Sequence, residues 1–346
     1  MSSNNFSMEN ISFSKEASNA IKGLLIVLVV LGHNSILCRG WDGCVSTESF
    51  FHWRWLYTFH VYCFFLLPFM YNKLPYRRGN FRKYALRLLY PYVWICAVCM
   101  VLSLFVMGNP FSGWKDLIQS VVCGSDKLLN ETMGLNFPWF LPAMFSLLLL
   151  KDIYYSSRKF VRWMLLGIGL VLWAVVLPGE VKFSTLGTYV PFALVPAFRL
   201  LPVCLLAVWL AERLEYNFKS RCVVTAIFVL LSLLLWLVQT CDIRTGRMAF
   251  YFVMPVAAFL TLLQFRDWLA KSRLLNVLGK MSLQIYLYHV IVFNGLLLLV
   301  KHFHCPPTLT DGVGVLMVTF AVSFLGALLT TRIPLLQKLL YPRGGK

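Results

Sequence analysis

Lys22-Gly23-Leu24-Leu25-Ile26-Val27-Leu28-Val29-Val30-Leu31-Gly32-His33-Asn34 is an apolar run with a cation at one end and an imidazole near the other. A helix rises about 1.5 Å per residue, which puts His33 roughly 16 Å from Lys22 along the axis. If that helix crosses a bilayer, the imidazole lies near the middle of the hydrocarbon. An ionisable group at that depth is costly and is a functional-site candidate by default. A histidine that only hydrogen-bonds a neighbouring helix is the plainer reading of the same stretch.

The rest of the chain supports the membrane setting. Of 346 residues, 59% are hydrophobic and 13% are charged, whereas a soluble domain carries about 25% charged residues. Ten apolar segments approach the ~20 residues that a bilayer requires. They are roughly 21–38, 51–72, 84–108, 137–155, 160–178, 189–211, 222–240, 248–264, 283–300 and 312–333. The chain thus reads as an all-α, polytopic integral membrane protein of about ten transmembrane helices. Residues 1–20 form a polar N-terminal tail without the charged n-region of a removable signal, 21–333 a single membrane domain, and 334–346 a basic tail. With the N-terminus inside, 22 Lys and Arg fall in inner segments and 8 in outer ones. That asymmetry predicts that both termini are cytoplasmic.

The net charge of +18 invites a nucleic-acid reading. The cations, however, fall in short blocks between apolar runs, as loop charges of a membrane protein do, so no nucleic-acid partner is expected. They favour membrane lipid or an anionic cofactor on the inner side. The Cys96-Ala-Val-Cys99 pair has no companion ligands at zinc spacing, so no metal is expected and the pair reads as packing. A disulfide among Cys38, Cys44, Cys123, Cys241 and Cys305 stays open. The longest outer loop, about 109–136, reads either as a cover over a site or as a connector.

None of the fourteen carboxylates falls in mid-span, whereas an ion-coupled carrier keeps them there. The polar groups inside the spans are mainly His33, Asn34, His60, Arg87, Arg199, Gln284, His289 and Asn294. Counting from helix ends puts His33, His60 and Arg199 each roughly 18 Å from the cytoplasmic edge, which suggests one shared cavity. Arg87 and His289 count as lower. Lys22, Arg87 and the basic residues of 77–83 form a funnel suited to an anionic cofactor entering from inside. No GxSxG, HExxH or P-loop is present. What remains is imidazole as general base with cations to hold an anion, the set that acyl transfer from a thioester to a hydroxyl needs.

Five motifs then appear in order: Asn19-Ala20-Ile21-Lys22-Gly23 leading to Gly32-His33; Phe59-His60-Val61-Tyr62-Cys63-Phe64-Phe65; Arg87-Leu88-Leu89-Tyr90-Pro91-Tyr92; Trp139-Phe140-Leu141; and Gly279-Lys280-Met281-Ser282 with Ile285-Tyr286-Leu287-Tyr288-His289. In this series the chain resembles the membrane-bound acyltransferase 3 family, which includes sugar and polysaccharide O-acetyltransferases. It departs from the family pattern with Lys22 for Arg, Asn19 for Asp, Tyr62 for Pro and Pro68-Phe69 for Ser-Gly. The resemblance implies His33 as catalytic base and His60 as its partner or a second proton carrier. It implies Lys22 and Arg87 as contacts to the acyl donor, acetyl-CoA or another acyl-CoA. Trp139, Tyr286 and His289 are implied as substrate or support residues, and Asn34, next to His33, joins them. Arg199 enters from its depth alone. The implied acceptor is a hydroxyl of a cell-surface glycan or its lipid-linked precursor, and the implied location is a bacterial inner membrane. A transporter or flippase for a glycan, or an inactive relative, is the alternative.

Overall fold

A computed structural model describes residues 14–38, 51–70, 78–106, 113–134, 137–176, 188–241, 244–303 and 308–340. These residues are helical with no strand among them, and seven helical stretches are long and apolar enough to cross a membrane. The chain is therefore an all-α polytopic membrane protein, and each of the ten expected segments coincides with a helix or a broken pair of helices.

Helix α1, Lys15–His33, starts where the Ser14 hydroxyl accepts from the Ala17 amide at 3.0 Å, an N-cap that satisfies one of the orphan donors of a first turn. It ends at Asn34, and α2, Ser35–Cys38, follows. The expected second span is broken into α3, Phe51–Tyr57, and α4, His60–Met70. The amides of Thr58 and Phe59 bond three residues back, to Trp55 and Leu56, and the Thr58 hydroxyl donates to the Trp55 carbonyl at 2.6 Å. In this tight turn the Leu56 carbonyl accepts from the Phe59 amide and also from the ring Nδ1 of His60 at 2.6 Å.

The third span runs as α5, Arg78–Tyr84, a π-helical turn, Ala85–Leu89, and α6, Tyr90–Val106. The expected outer loop folds, over its described part, into α7, Trp114–Cys123, and α8, Asp126–Met133. Tyr92 donates to the Val121 carbonyl at 2.8 Å, and Leu129 and Met133 are buried, so this hairpin packs onto the bundle. A 3-10 turn, Phe137–Trp139, opens α9, Phe140–Ser156, and α10, Lys159–Val176, follows. After the 3-10 turn Pro191–Ala193 come α11, Leu194–Ala211; α12, Phe218–Thr240; and α13, Arg244–Gln264. Then come α14, Arg266–Ala270; α15, Arg273–Lys280; α16, Ser282–Phe303; α17, Leu309–Arg332; and α18, Pro334–Leu340. Cys123 and Cys241 are free thiols; the side chains of Cys38, Cys44 and Cys305 lie outside the described residues.

α1 sits at the centre, packed by α3, α4, α14, α15, α16 and α17. Ala20, Ile21, Leu25, Ile26, Val29 and Val30 are all essentially inaccessible. In lipid, helices associate through close packing rather than escape from water, which favours small residues at contacts. Gly23 and Gly279 meet that need. A Cβ on Gly23 would strike the Leu275 carbonyl, and one on Gly279 would strike the Asn19 carbonyl. α12 behaves in the opposite way, exposing Val223, Ile227, Leu230 and Leu233 on a face suited to lipid tails.

Candidate active site

The end of α1 brings three imidazoles together. The His33 ring lies 5.1 Å from the His289 ring, centroid to centroid. Tyr57 bridges on the other side, 6.2 Å from His33 and 4.7 Å from His60. A Cβ on Gly32 would come within 3.4 Å of His60 Nε2, so that nitrogen faces α1 next to His33. His60 and His289 are fully buried and His33 is half-buried.

The tautomers of two of these rings are set by the backbone. A carbonyl only accepts, so His60 Nδ1 must donate to Leu56 at 2.6 Å, and His289 Nδ1 to Tyr286 at 2.6 Å and Ile285 at 3.2 Å. In the neutral ring this leaves Nε2 as a bare lone pair, and both Nε2 atoms are buried without a hydrogen-bond partner. Buried polar atoms are mostly satisfied, and these two imidazole acceptors are among the exceptions in the described residues.

Further residues pack around these rings. The Tyr286 hydroxyl donates to the Phe137 carbonyl and so ties the 3-10 turn to α16. Phe137 stands 6.0 Å from His289 and 5.7 Å from Tyr286. Trp139, in the same turn, packs 6.2 Å from Phe65. Asn34 is committed to holding the end of α1: its Nδ2 donates to Gly312 O at 2.8 Å and its Oδ1 accepts from the Leu37 amide at 3.1 Å. Cys63 is buried, and its thiol reaches the Pro255 carbonyl at 3.7 Å, so it serves packing between α4 and α13.

About midway along α1, Lys22 lies within electrostatic range of Arg87. Lys22 is half-buried, and Arg87 is exposed in the π-helical turn. Single π turns concentrate at functional positions because they re-aim side chains out of helical register. Two neighbouring cations of this kind attract an anion. Arg82 and Lys83 are exposed beside them; Arg77 lies outside the described residues.

Two expectations need correction. His289 is not lower than His33, because their rings touch. Counting from each helix's own inner end assumed that all helices start in one plane, and α1 and α16 do not. Arg199 packs apart from the histidine cluster, against Trp173. Its guanidinium lies 4.1 Å above the Trp173 ring, its carbonyl accepts from Trp173 Nε1 at 2.6 Å, and Tyr62 is among its polar neighbours. Tyr62 follows His60 by two residues, about 200° around α4, so Arg199 meets the opposite face of that helix.

Comparison with known proteins agrees with this architecture. A family model described as an acyltransferase domain matches residues 15–331, nearly the whole chain. No curated protein and no solved structure matches the chain. The match spans all three histidines and both cations of α1 and the π turn, and the chain belongs to the acyltransferase 3 family of membrane acyltransferases.

Proposed function

We propose that the histidine cluster transfers an acyl group, acetyl from acetyl-CoA, to a hydroxyl of a cell-surface glycan or its lipid-linked precursor, in a bacterial inner membrane. The observation that supports this reading is the convergence of three imidazoles, two of them holding a buried, unpartnered Nε2. His33 is the general base, since it is the half-buried one and so the one a substrate reaches. It takes the proton of the acceptor hydroxyl as the oxygen bonds to the thioester carbonyl carbon. The C–S bond then breaks, and the proton passes from the imidazole to the leaving thiolate. His60 and His289 stand beside it as lone-pair acceptors that share the proton while it is held. Lys22 and Arg87 hold the donor's phosphates. The roughly 16 Å between Lys22 and His33 is then bridged by the long thiol arm of CoA.

The acceptor and the class of reaction are tested together by deleting the gene and analysing the surface glycan for acetyl and succinyl esters. Loss of one ester is expected, and an unchanged glycan overturns the acceptor assignment. For the donor, Lys22→Arg is expected to keep the KM for acetyl-CoA and Lys22→Ala to raise it about tenfold, the worth of one charge-assisted bond. Equal KM in all three proteins rules out that role for Lys22.

A further inference from the structure

Asp152 is the one buried carboxylate among the described residues, near the end of α9. Its Oδ2 accepts from Asn80 Nδ2 at 2.8 Å and from the Tyr84 hydroxyl at 3.0 Å. Both donors belong to α5, and Tyr84 is the last residue before the π turn that carries Arg87. Its neighbour Lys151 is also buried and donates from Nζ to the Pro68 carbonyl at 2.8 Å, with the Phe69 ring 5.7 Å away. Pro68 lies in the last turn of α4, the helix that His60 opens. Two adjacent residues of one helix therefore grip the end of the His60 helix and the helix that leads into Arg87.

Burying opposite charges gains little net stability over well-packed apolar side chains, and such pairs are better explained by the geometry they fix. We propose that Lys151 and Asp152 are positioning residues, a buried clamp that sets Arg87 against α4 so that the donor is held at one distance from the imidazoles. The proposal rests on the reading of Arg87 as a donor contact. Asp152 acts on the donor only through Tyr84 and Asn80. Its loss therefore loosens Arg87 without touching the reacting atoms.

The test compares donor kinetics and thermal stability for Arg87→Ala, Asp152→Ala, Asp152→Asn and Tyr84→Phe in the full-length protein. Arg87→Ala and Asp152→Ala are both expected to raise the KM for acetyl-CoA about tenfold, with kcat at saturating donor changed less than about twofold. Asp152→Asn keeps an acceptor oxygen and is expected to restore most of the KM. Should Asp152→Ala not accumulate, Tyr84→Phe reads the same grip, with a severalfold rise in KM. If Arg87→Ala raises KM while the Asp152 and Tyr84 variants do not, the clamp is overturned and the donor site stands. If Arg87→Ala leaves KM unchanged, the donor assignment itself fails and takes the clamp with it.

Discussion

Gly32→Ala separates the chemistry of the histidine cluster from the stability of the helix that carries it. The added methyl would stand 3.2 Å from a Tyr57 ring carbon, 3.3 Å from Leu56 Cδ2 and 3.4 Å from His60 Nε2. Favourable contacts between carbon atoms begin near 3.5 Å, so each neighbour must give by a few tenths of an ångström. That crowding costs about 1 kcal/mol, the low end for overpacking. Alanine returns up to about 1 kcal/mol over glycine inside a helix, so the melting temperature should hardly move. Activity should not be spared. The methyl covers the approach to His60 Nε2 and pushes on Tyr57, which packs against His33. A displacement of reacting groups by a fraction of an ångström costs on the order of tenfold in rate. The assay is transfer of labelled acetyl from acetyl-CoA in detergent or nanodiscs, read beside a thermal melt. A variant with unchanged stability and unchanged rate would refute the claim that His60 Nε2 faces the reaction space.

Three further outcomes follow from the packing. Asn34→Ala leaves the Gly312 carbonyl and the Leu37 amide without their side-chain partner and should cost about 1–3 kcal/mol, seen as a lower melting temperature. Arg199→Met removes a cation held over Trp173, apart from the histidine cluster; rate per folded molecule should be retained while stability falls, and a large loss of kcat would return Arg199 to the site. Gly279→Ala drives a methyl into the Asn19 carbonyl and should destabilise by about 1–3 kcal/mol or more, read as reduced folded protein in the membrane.

The spans were legible because a bilayer imposes a length and a composition on anything that crosses it. Among the described residues, seven of the ten apolar runs show both. His33 and His60 were legible as polar residues in apolar stretches. The break at Thr58 was not, since no Gly or Pro marks it; it depends on a ring nitrogen competing for one carbonyl. The pairing of His33 with His289 depends on how far α16 is raised relative to α1, and no local pattern encodes that. Arg199 misled for the same reason: equal depth says nothing about which face of a helix a side chain meets. Asp152 looked like an ordinary charge near a helix end, and only its burial beneath Asn80 and Tyr84 sets it apart.

The central claim is that an imidazole at the end of α1 moves the proton in acyl transfer. Its most direct test is the rate at which purified protein moves labelled acetyl from acetyl-CoA to glycan extracted from the same cells, with His33 intact or replaced by Ala. The account predicts a fall of at least about a hundredfold, the usual worth of a general base, with protein level and melting temperature unchanged. Transfer at the unaltered rate by His33→Ala would contradict it.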